Sequence, residues 1–440
     1  MIFFTASWLI LLMISLVDII GFSTLNILAV FLWIFSCCRF IKLNSNFSVV
    51  SITLMFSFTV TGIVCAYAEM GSLLSEIHQE AFLTGATFRT LTVCYFVMLG
   101  AFHSFNVTGG IKFVHGQLSV ITNELMIKTL TITVLSLILL MVFFRIRYGS
   151  PNDYGVDRFY YWNNIAPKWG EYAKFILQQL SFLIGVVYAI KGRKKYILIY
   201  FASVLSQFLA GEKFTGLFLS TIFFFVPLVV VRGINLWKVI FNARTIALSL
   251  IATGILMASA FLSYLAISGG DAAARLINRV VLQSQMWWAV DYYSSGSFTS
   301  FDEIFKHMLG FTDNTNLIGI RYLMSVVAPA DVYSIFMDRG ITFTMAAPVN
   351  LTYFFGFPLC LIPAIFIGWI SGISFRIIVE SIKSGDMILC LLSIKLYYVI
   401  IRVLTMADVH QLLEIKTILC IFVFITYSML SSILYRKSWA

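Results

Sequence analysis

Runs of about 20 apolar residues recur from one end of this chain to the other, and no other feature restricts its fold as strongly. A helix rises about 1.5 Å per residue, so each run is long enough to cross a hydrocarbon core of about 30 Å. Of the 440 residues, 60% are hydrophobic and 11% are charged. A soluble domain has about 25% charged residues. The sequence therefore predicts an all-α, polytopic integral membrane protein and excludes a soluble one.

Hydropathy predicts about twelve transmembrane helices in one membrane domain, residues 1–440, with both termini in the cytoplasm. The first run, TASWLILLMISLVDIIGF, resembles a signal peptide in length but has neither a basic start nor a small-residue cleavage site. We therefore expect it to be retained as the first span. The predicted spans are 4–22, 24–41, 48–68, 81–105, 125–147, 171–190, 196–210, 214–231, 245–267, 350–373, 386–406 and 411–434.

Lysine and arginine set the predicted orientation, because they concentrate in short cytoplasmic loops. Two segments on the opposite, periplasmic side are too long to be simple turns. The sequence predicts a smaller periplasmic loop at 149–170 and a large periplasmic loop subdomain at 268–349, between the ninth and tenth spans. The predicted cytoplasmic segments carry Arg39, Lys42, Lys112, KGRKK at 191–195, Arg232, Lys238, Arg244, Arg376, Lys383, Arg436 and Lys437.

The seven cysteines all fall within predicted spans, which favours free thiols that serve as small apolar side chains. No spacing of cysteine or histidine indicates a metal site. We expect neither a metal nor a cofactor.

The stretch ARLINRVVLQSQMWWAVDYY, residues 274–293, combines arginine and tryptophan in a way that orientation alone does not explain. As one helix it would place Arg275, Arg279 and Gln283 on one face, which Met286 and Trp287 continue. The planar guanidinium group suits bidentate contact with phosphate. Trp287 and Trp288 would then stack on a sugar or lie in an interfacial aromatic belt. The ordinary alternative for the arginines is a solvated loop of mixed charge.

A second unusual stretch is LAGEKFTG, residues 209–216, which follows a predicted span of only about 15 residues, near 22 Å. The turn is therefore expected below the membrane surface, with Glu212 and Lys213 recessed. Charges at that depth need a wet cavity or a partner. A pair between Glu212 and Lys213, or snorkelling to the headgroups, is the structural alternative.

Charged residues also lie within or at the ends of spans, where they are candidates for function. Lys395 and Arg402 share one face of the eleventh span, and a structural pair of Arg402 with Glu414 is the alternative. In the large loop, FTDNTNLIGIRYL (311–323) offers Asn314, Arg321 and Tyr322 to a carbohydrate, although such a composition is also typical of an ordinary polar turn. Further candidates are Arg89, Lys128, Asp408, His410 and Lys416.

The number of spans, the large outer loop before the final helices, the GEKFTG turn and APVNLTYFFGFPLCLIPAIFIGWISG (347–372) together resemble the O-antigen polymerases of the Wzy type. These are oligosaccharide repeat-unit polymerases, related to the O-antigen ligases among the GT-C membrane glycosyltransferases. The likeness covers most of the chain as architecture, and its motifs are short. Lys213 stands where arginine is common in that family. The related ligases use a periplasmic histidine, and none of His78, His307 and His410 matches a ligase motif.

The resemblance implies a membrane glycosyltransferase of the bacterial inner membrane that makes lipopolysaccharide O-antigen at the periplasmic face. Its donor would be a growing glycan on undecaprenyl diphosphate, and its acceptor one repeat unit on the same carrier. A chain-length regulator protein would be a partner, and no nucleic acid is expected.

The residues fit that chemistry, because arginines can stabilise a departing diphosphate and a carboxylate or imidazole can accept the proton of the acceptor hydroxyl. Asp291, Asp302 and His307 are the candidate bases. The candidates for sugar contact are Trp287, Trp288, Asn314 and Tyr322. The candidates for diphosphate contact are Arg275, Arg279, Lys213, Arg158, Arg321 and Arg402.

Two other functions stay open at this point. An O-antigen ligase or another lipid-linked glycan transferase would use similar chemistry. A lipid-linked oligosaccharide flippase or another transporter would use Arg89, Lys128, Lys395 and Arg402 to line a cationic lumen. Transporters usually carry internal repeats, and this sequence has no clear repeat.

Overall fold

The computed structural model describes residues 1–113, 117–156, 160–212, 214–247, 251, 254, 258, 261, 272–294 and 296–437. In this part of the chain, eight helices are long and apolar enough to cross a membrane, and three shorter apolar helices accompany them. The protein is therefore an all-α membrane protein, as the sequence predicts. The predicted span 245–267 falls mostly outside the described residues.

The first half of the chain forms mainly long helices. They are α1 (Ile2–Leu16), α2 (Phe22–Leu43), α3 (Ser45–Ala68), α4 (Ala86–Val107), α5 (Gln117–Tyr148), α6 (Lys168–Lys191), α7 (Lys195–Leu209), α8 (Phe214–Arg232) and the short α9 (Leu236–Ile240). A two-residue antiparallel pair, β1 (Leu73–Leu74) and β2 (Gln79–Glu80), lies between α3 and α4, with Leu73 opposite Glu80.

The second half begins with short helices and ends with three long ones. They are α10 (Ala272–Val281), α11 (Gln285–Tyr293), α12 (Ile320–Val327), α13 (Ala330–Asp338), α14 (Val349–Phe355), α15 (Leu361–Ser384), α16 (Met387–Met406) and α17 (Ile415–Lys437). Shorter helical turns occupy Phe301–Glu303, Ile304–Met308, Thr315–Leu317 and Val409–Leu412.

Several helix boundaries differ from the sequence prediction. The first helix ends at Leu16 instead of continuing to residue 22. The predicted span 350–373 is wrong as one continuous helix. α14 ends before Gly356, whose φ of +70° interrupts the helix, and the long helix α15 begins only at Leu361. Hydropathy misses this break because Gly356, Phe357 and Pro358 leave the segment apolar.

Helices α4 and α15 pack with their backbones in contact at the centre of the bundle. A Cβ atom built on Gly368 would lie 2.1 Å from the carbonyl oxygen of Val97, and one on Gly372 would lie 2.0 Å from that of Ala101. Gly100 faces the carbonyl oxygen of Ile365 in the same way, at 2.4 Å. Small residues permit this close approach between helices, where dispersion contacts replace the hydrophobic driving force that lipid does not supply.

One end of the bundle carries most of the connecting segments, and we call it the loop face. Its segments contact one another: the indole nitrogen of Trp288 donates to the carbonyl oxygen of Phe82 (2.9 Å), and Gly319 packs against Asp408. The loop face comprises 17–21, 69–85, 149–156, 160–167, 210–212, 272–294, 296–360 and 407–414.

The other end, which we call the opposite face, is held by shorter connections. The Asn44 amide donates to Asn106 (3.0 Å), and the Asn123 amide donates to the carbonyl oxygen of Gly385 (2.9 Å). Its connection between α6 and α7 is basic and exposed, with Lys191, Arg193, Lys194 and Lys195.

Candidate functional site

The N-terminus of α4 at the loop face is organised by one buried carboxylate, that of Glu69. It accepts seven hydrogen bonds, from the backbone N–H groups of residues 84–87, the hydroxyls of Thr84 and Thr87, and the amide of Asn26. Carboxylates are favourable at helix N-termini because they satisfy free N–H groups and face the positive end of the helix dipole. Glu69 therefore fixes where α4 begins.

Arg89 lies one turn further along α4 and pairs with Asp291 from α11. The guanidinium group donates to both carboxylate oxygens, through Nε (2.9 Å) and through Nη2, and also to the carbonyl oxygen of Thr84 (2.9 Å). Burial raises the pKa of Asp291 above its ordinary value, and Arg89 opposes that shift. The side chain of Asp291 is 1% exposed and that of Arg89 is 22% exposed, so the arginine is the accessible partner.

The clearest convergence of predicted site residues lies where the segment 303–323 packs on the turn after α16. We call His307, Arg321, Arg402, Asp408 and His410 the junction site. A Cβ on Gly319 (φ +57°) would lie 2.8 Å from Oδ1 of Asp408, and a Cβ on Gly310 (φ +82°) would lie 2.8 Å from Cβ of His410. The stretch between these two glycines therefore lies directly on the 407–410 turn.

Arg402 supplies the most buried guanidinium group of the junction site. It pairs with Asp408, whose side chain is 4% exposed and which also accepts from the Gln411 amide (3.3 Å). Within the described chain, Nε of Arg402 is buried and has no hydrogen-bond partner. The expected alternative pair with Glu414 is wrong, since Glu414 instead lies 3.9 Å from Nε2 of His410.

Arg321 and His410 complete the positive side of the junction site. The guanidinium group of Arg321 donates to the side-chain oxygen of Asn316 (3.2 Å), and in the described chain it has no carboxylate partner. His410 lies within electrostatic reach of both Arg321 and Arg402. Two guanidinium groups from segments about 80 residues apart thus lie within electrostatic reach of one imidazole.

His307 is held in an orientation that leaves one ring nitrogen available. Its Nδ1 lies 2.7 Å from the carbonyl oxygen of Leu317, and its ring stacks on Tyr322 with centroids 3.9 Å apart. A carbonyl only accepts, so Nδ1 carries the proton and Nε2 of the neutral ring has a free lone pair. Tyr322 in turn donates its hydroxyl to Glu303 (3.0 Å), which fixes the stack.

The two tryptophans of the stretch 274–293 are not placed for sugar contact. Trp287 and Trp288 are 0% and 1% exposed, and their indole nitrogens donate to the carbonyl oxygens of Ala347 (3.3 Å) and Phe82 (2.9 Å). The prediction that they stack on a sugar or form an interfacial belt is therefore wrong. Segments distant in sequence cover both rings, and the tryptophans act as core.

The predicted continuous helix through residues 274–293 is also wrong. α10 ends at Val281, and α11 begins at Gln285 after a turn, so Gln283 and Trp287 do not continue the arginine face. Arg275 and Arg279 do share α10, and both are exposed. Arg279 lies 3.4 Å from Glu76.

Three other predicted residues are either exposed or occupied by contacts with neighbouring parts of the loop face. Asp302 is 68% exposed and pairs with Lys306 one turn away (2.7 Å). The side chain of Asn314 accepts from the backbone N–H of Asn316, so it caps a turn. Tyr322 stacks in the core of its segment, between His307 and Phe354.

A turn follows α7, and α7 has the expected 15 residues. The depth of this turn in the membrane stays a prediction. Glu212 is buried and pairs with Lys174 of α6 at 2.9 Å, and the ammonium group of Lys174 also lies 4.3 Å from the centroid of the Trp162 ring. The predictions for Lys213 and Arg158 lie outside the described residues.

Sequence reasoning missed Glu69, which organises the start of α4, and Lys174, which pairs with Glu212 in the turn after α7. A signal existed for Glu69, because it is the acid that directly follows α3. Lys174 is harder to identify from the sequence, because a lysine near the end of a span ordinarily extends its ammonium group towards the headgroups. In the described ranges, no group of three His, Cys, Asp or Glu side chains is arranged to hold a metal ion, and all seven cysteines are free.

These features define an all-α integral membrane protein with a polar, partly buried site at its loop face. A family described as "Family of unknown function (DUF6418)" matches residues 313–421, about a quarter of the chain. The matched stretch contains Arg321, Arg402, Asp408 and His410. Neither a search of curated proteins nor a search of solved structures gives a match.

Proposed function

We propose that this protein is a metal-independent membrane glycosyltransferase that polymerises lipid-linked oligosaccharide repeat units, the O-antigen polymerase reaction. The observation that carries the proposal is the junction site. There, Arg321 and Arg402 lie within electrostatic reach of His410, and His307, from the same segment as Arg321, has a free Nε2. Cations next to a proton acceptor are what the transfer of a sugar from a diphosphate requires.

In the proposed reaction, a hydroxyl of the acceptor repeat unit attacks the anomeric carbon of the donor glycan. The new glycosidic bond forms as the bond from that carbon to the diphosphate oxygen breaks, and undecaprenyl diphosphate leaves with the electron pair. Arg321 and Arg402 stabilise the growing negative charge on the departing diphosphate. Asp408 acts as a positioning residue for Arg402.

His307 is the best supported of the three candidate bases. Asp291 is 1% exposed with both oxygens engaged by Arg89, and Asp302 is a surface residue paired with Lys306. His307 combines partial exposure, a fixed ring and a free Nε2. Asp291 is better suited to position Arg89 than to accept a proton.

The proposed orientation places the loop face in the periplasm of a bacterial inner membrane, with twelve spans and both termini in the cytoplasm. The exposed basic connection at 191–195 on the opposite face supports it, because lysine and arginine favour the cytoplasmic side. In this orientation, the lipid-linked donor and acceptor would reach the junction site from the outer leaflet. The exposed Arg275 and Arg279 keep their proposed contact with lipid diphosphate, and a chain-length regulator stays a proposed partner.

A transporter of lipid-linked oligosaccharides is the second candidate, and Lys395 is the observation that favours it. This lysine lies in the middle of α16, partly buried, and makes no ion pair within the described chain. An uncompensated charge at that depth is a functional candidate, since it is expensive in lipid. Arg402 lies on the same helix as Lys395, but Asp408 of the following turn compensates its charge. The positive charge of a lumen would therefore come mainly from Lys395.

The deciding experiment deletes the gene in its host and separates the surface glycan on a gel. Collapse of a long ladder to a core that carries one repeat unit supports polymerisation. Loss of every repeat, including the single one, supports a ligase or flippase and overturns the proposal.

Complementation of the deletion strain then tests the base. We expect His307→Ala and His307→Gln to reduce polymer formation by about 10²–10⁴-fold, the range of general base catalysis. His103→Ala is the matched control, because His103 is exposed on α4 towards the opposite face. A normal ladder from His307→Ala, at the same protein level as the control, would show that another group accepts the proton.

A further inference from the structure

A cavity of about 360 Å³ lies at the loop face beside the Arg89–Asp291 pair, apart from the junction site. Small-molecule pockets span about 300–1,000 Å³, so this volume suits a small ligand or one residue of a larger one. Its walls come from the end of α1, the start of α2, α4, α11 and α14. The lining residues are Ser15, Leu16, Phe22, Arg89, Asp291, Ser294, Gly296, Thr352 and Phe357.

The charges around the cavity disfavour an anionic ligand. Arg89 is the exposed charge, yet both oxygens of Asp291 already compensate it. The buried carboxylate of Glu69 also lies within electrostatic reach of the guanidinium group. In the described chain, Nε and Nη2 make the hydrogen bonds of Arg89 and Nη1 makes none. Arg89 therefore offers N–H donors to the cavity while its charge is compensated.

The remaining lining combines hydroxyl groups with aromatic rings. Ser15 and Ser294 supply the hydroxyls, and Phe22 and Phe357 supply the rings. The Ser294 hydroxyl donates to the carbonyl oxygen of Thr352 (3.1 Å), so it faces a ligand as an acceptor. The guanidinium group of Arg89 lies 5.6 Å from the centroid of the Phe22 ring, which holds the arginine against that wall. Hydroxyls bind the edge of a neutral sugar, and an aromatic face packs against its C–H groups.

We propose that this cavity binds a neutral sugar residue of the acceptor repeat unit. The inference rests on the proposed function, since it names the part of the substrate that a second subsite would hold. The helix α14 connects the cavity with the candidate base. Thr352 lines the cavity, whereas the next two residues contact Tyr322: the Tyr353 hydroxyl at 3.2 Å and the Phe354 ring with centroids 6.0 Å apart.

Ser15 permits a test that leaves the Arg89–Asp291 pair intact. Its side chain lines the cavity and makes no hydrogen bond within the described chain, so Ser15→Phe would fill the space without removing a described side-chain contact. Ser7→Phe is the matched control, because Ser7 lies on the same helix but does not line the cavity.

The first measurement is saturation-transfer NMR with the full chain in lipid nanodiscs and methyl glycosides of neutral hexoses at millimolar concentration as probes. We expect transfer to at least one probe with the unmodified protein and with Ser7→Phe. With Ser15→Phe we expect binding to be at least about tenfold weaker, equivalent to 1.4 kcal/mol. Equal transfer with Ser15→Phe, or transfer to no probe with the unmodified protein, overturns the inference.

The second measurement separates this inference from the proposed function. Each variant is returned to the deletion strain, and the surface glycan is separated on a gel. Shortened polymer with Ser15→Phe and normal polymer with Ser7→Phe supports the acceptor subsite. Normal polymer with both variants overturns the subsite and leaves the polymerase proposal standing. If the deletion strain loses even the single repeat, the polymerase proposal fails, and the sugar-binding result alone decides whether the cavity holds a sugar.

Discussion

The carboxylate of Glu69 gives the sharpest prediction on stability, because so many donors depend on it. In Glu69→Gln, the amide oxygen would take the place of Oε1, which accepts four of the seven hydrogen bonds. The amide nitrogen would then face the donors at Oε2. Of these, the hydroxyl of Thr87 can rotate to accept, whereas the backbone N–H of Thr87 and the amide of Asn26 cannot.

The magnitude follows from those two donors and from the lost charge. Each buried donor left without an acceptor costs about 1–3 kcal/mol. The four bonds at the other oxygen also weaken, since hydrogen bonds to a charged group are worth about 1.5–3 kcal/mol against about 1 kcal/mol for neutral ones. The Asn26 amide has no alternative orientation, because its oxygen already accepts from the backbone N–H of Phe88 (3.0 Å). We expect a total destabilisation of about 3–6 kcal/mol, on the basis of two orphaned donors and partial relaxation.

The assay is thermal unfolding of the purified protein in one detergent, followed by intrinsic tryptophan fluorescence. Glu80→Gln is the matched control, because the same substitution falls eleven residues later at an exposed position of β2. We expect Glu69→Gln to unfold several degrees below the control. Equal midpoints for the two variants would refute the reasoning that this carboxylate determines the start of α4.

Two further predictions concern the junction site and the loop after α5. Gly319→Ala places a Cβ at a φ of +57° and 2.8 Å from Oδ1 of Asp408, so we expect it to destabilise the protein by at least about 1–2 kcal/mol and to reduce polymer formation. Asp153 has a pKa lowered to about 2, first by its hydrogen bond from Arg145 and then by the backbone N–H of Ser150. Its contribution to stability is present above the ordinary pKa of 3.8 and is lost as the pH falls through about 2. Asp153→Asn should therefore lower the midpoint of unfolding equally at pH 7 and pH 5.

Each of these predictions has an outcome that contradicts it. For Gly319, the control is Gly233→Ala, since Gly233 also has a positive φ (+60°) and nothing lies near its Cβ. Equal polymer formation by the two glycine variants would mean that contact with Asp408 does not matter. For Asp153, equal midpoints of the Asp153→Asn variant and the unmodified protein at both pH values would contradict the prediction, because a carboxylate with a lowered pKa stabilises the folded state at every pH above 3.8.

The positions of the long helices were predictable from the sequence because an apolar run carries its own signal. The eleven predicted spans that fall in the described chain each correspond to a helix, although that at 350–373 is displaced towards its C-terminus. The short helix before Glu212 also followed from length alone. A break within an apolar run does not follow, because Gly356 and Pro358 change the backbone without lowering hydropathy.

The site was predictable only in part, since its contacts join distant segments. Arg321, Arg402 and His307 were named from residue type, but their convergence depends on the packing of 303–323 against 407–410. The pairing of Arg89 with Asp291 across about 200 residues has no local signal. Trp288 was misassigned for the same reason. The sequence around it is typical of an interfacial belt, and only the packing of a distant segment shows that its ring is buried.

The contact between α4 and α15 restricts which substitutions the chain can accept. At Gly368 and Gly372 even alanine would overlap a backbone carbonyl of α4, and a backbone cannot rotate away as a side chain can. Both helices would have to separate along their length to admit one methyl group. α4 also carries Arg89 in its first turn. A shift of α4 caused by a substitution at Gly368 or Gly372 would therefore move Arg89 at the loop face. A substitution at either position would therefore disturb the site, although neither glycine touches any part of it.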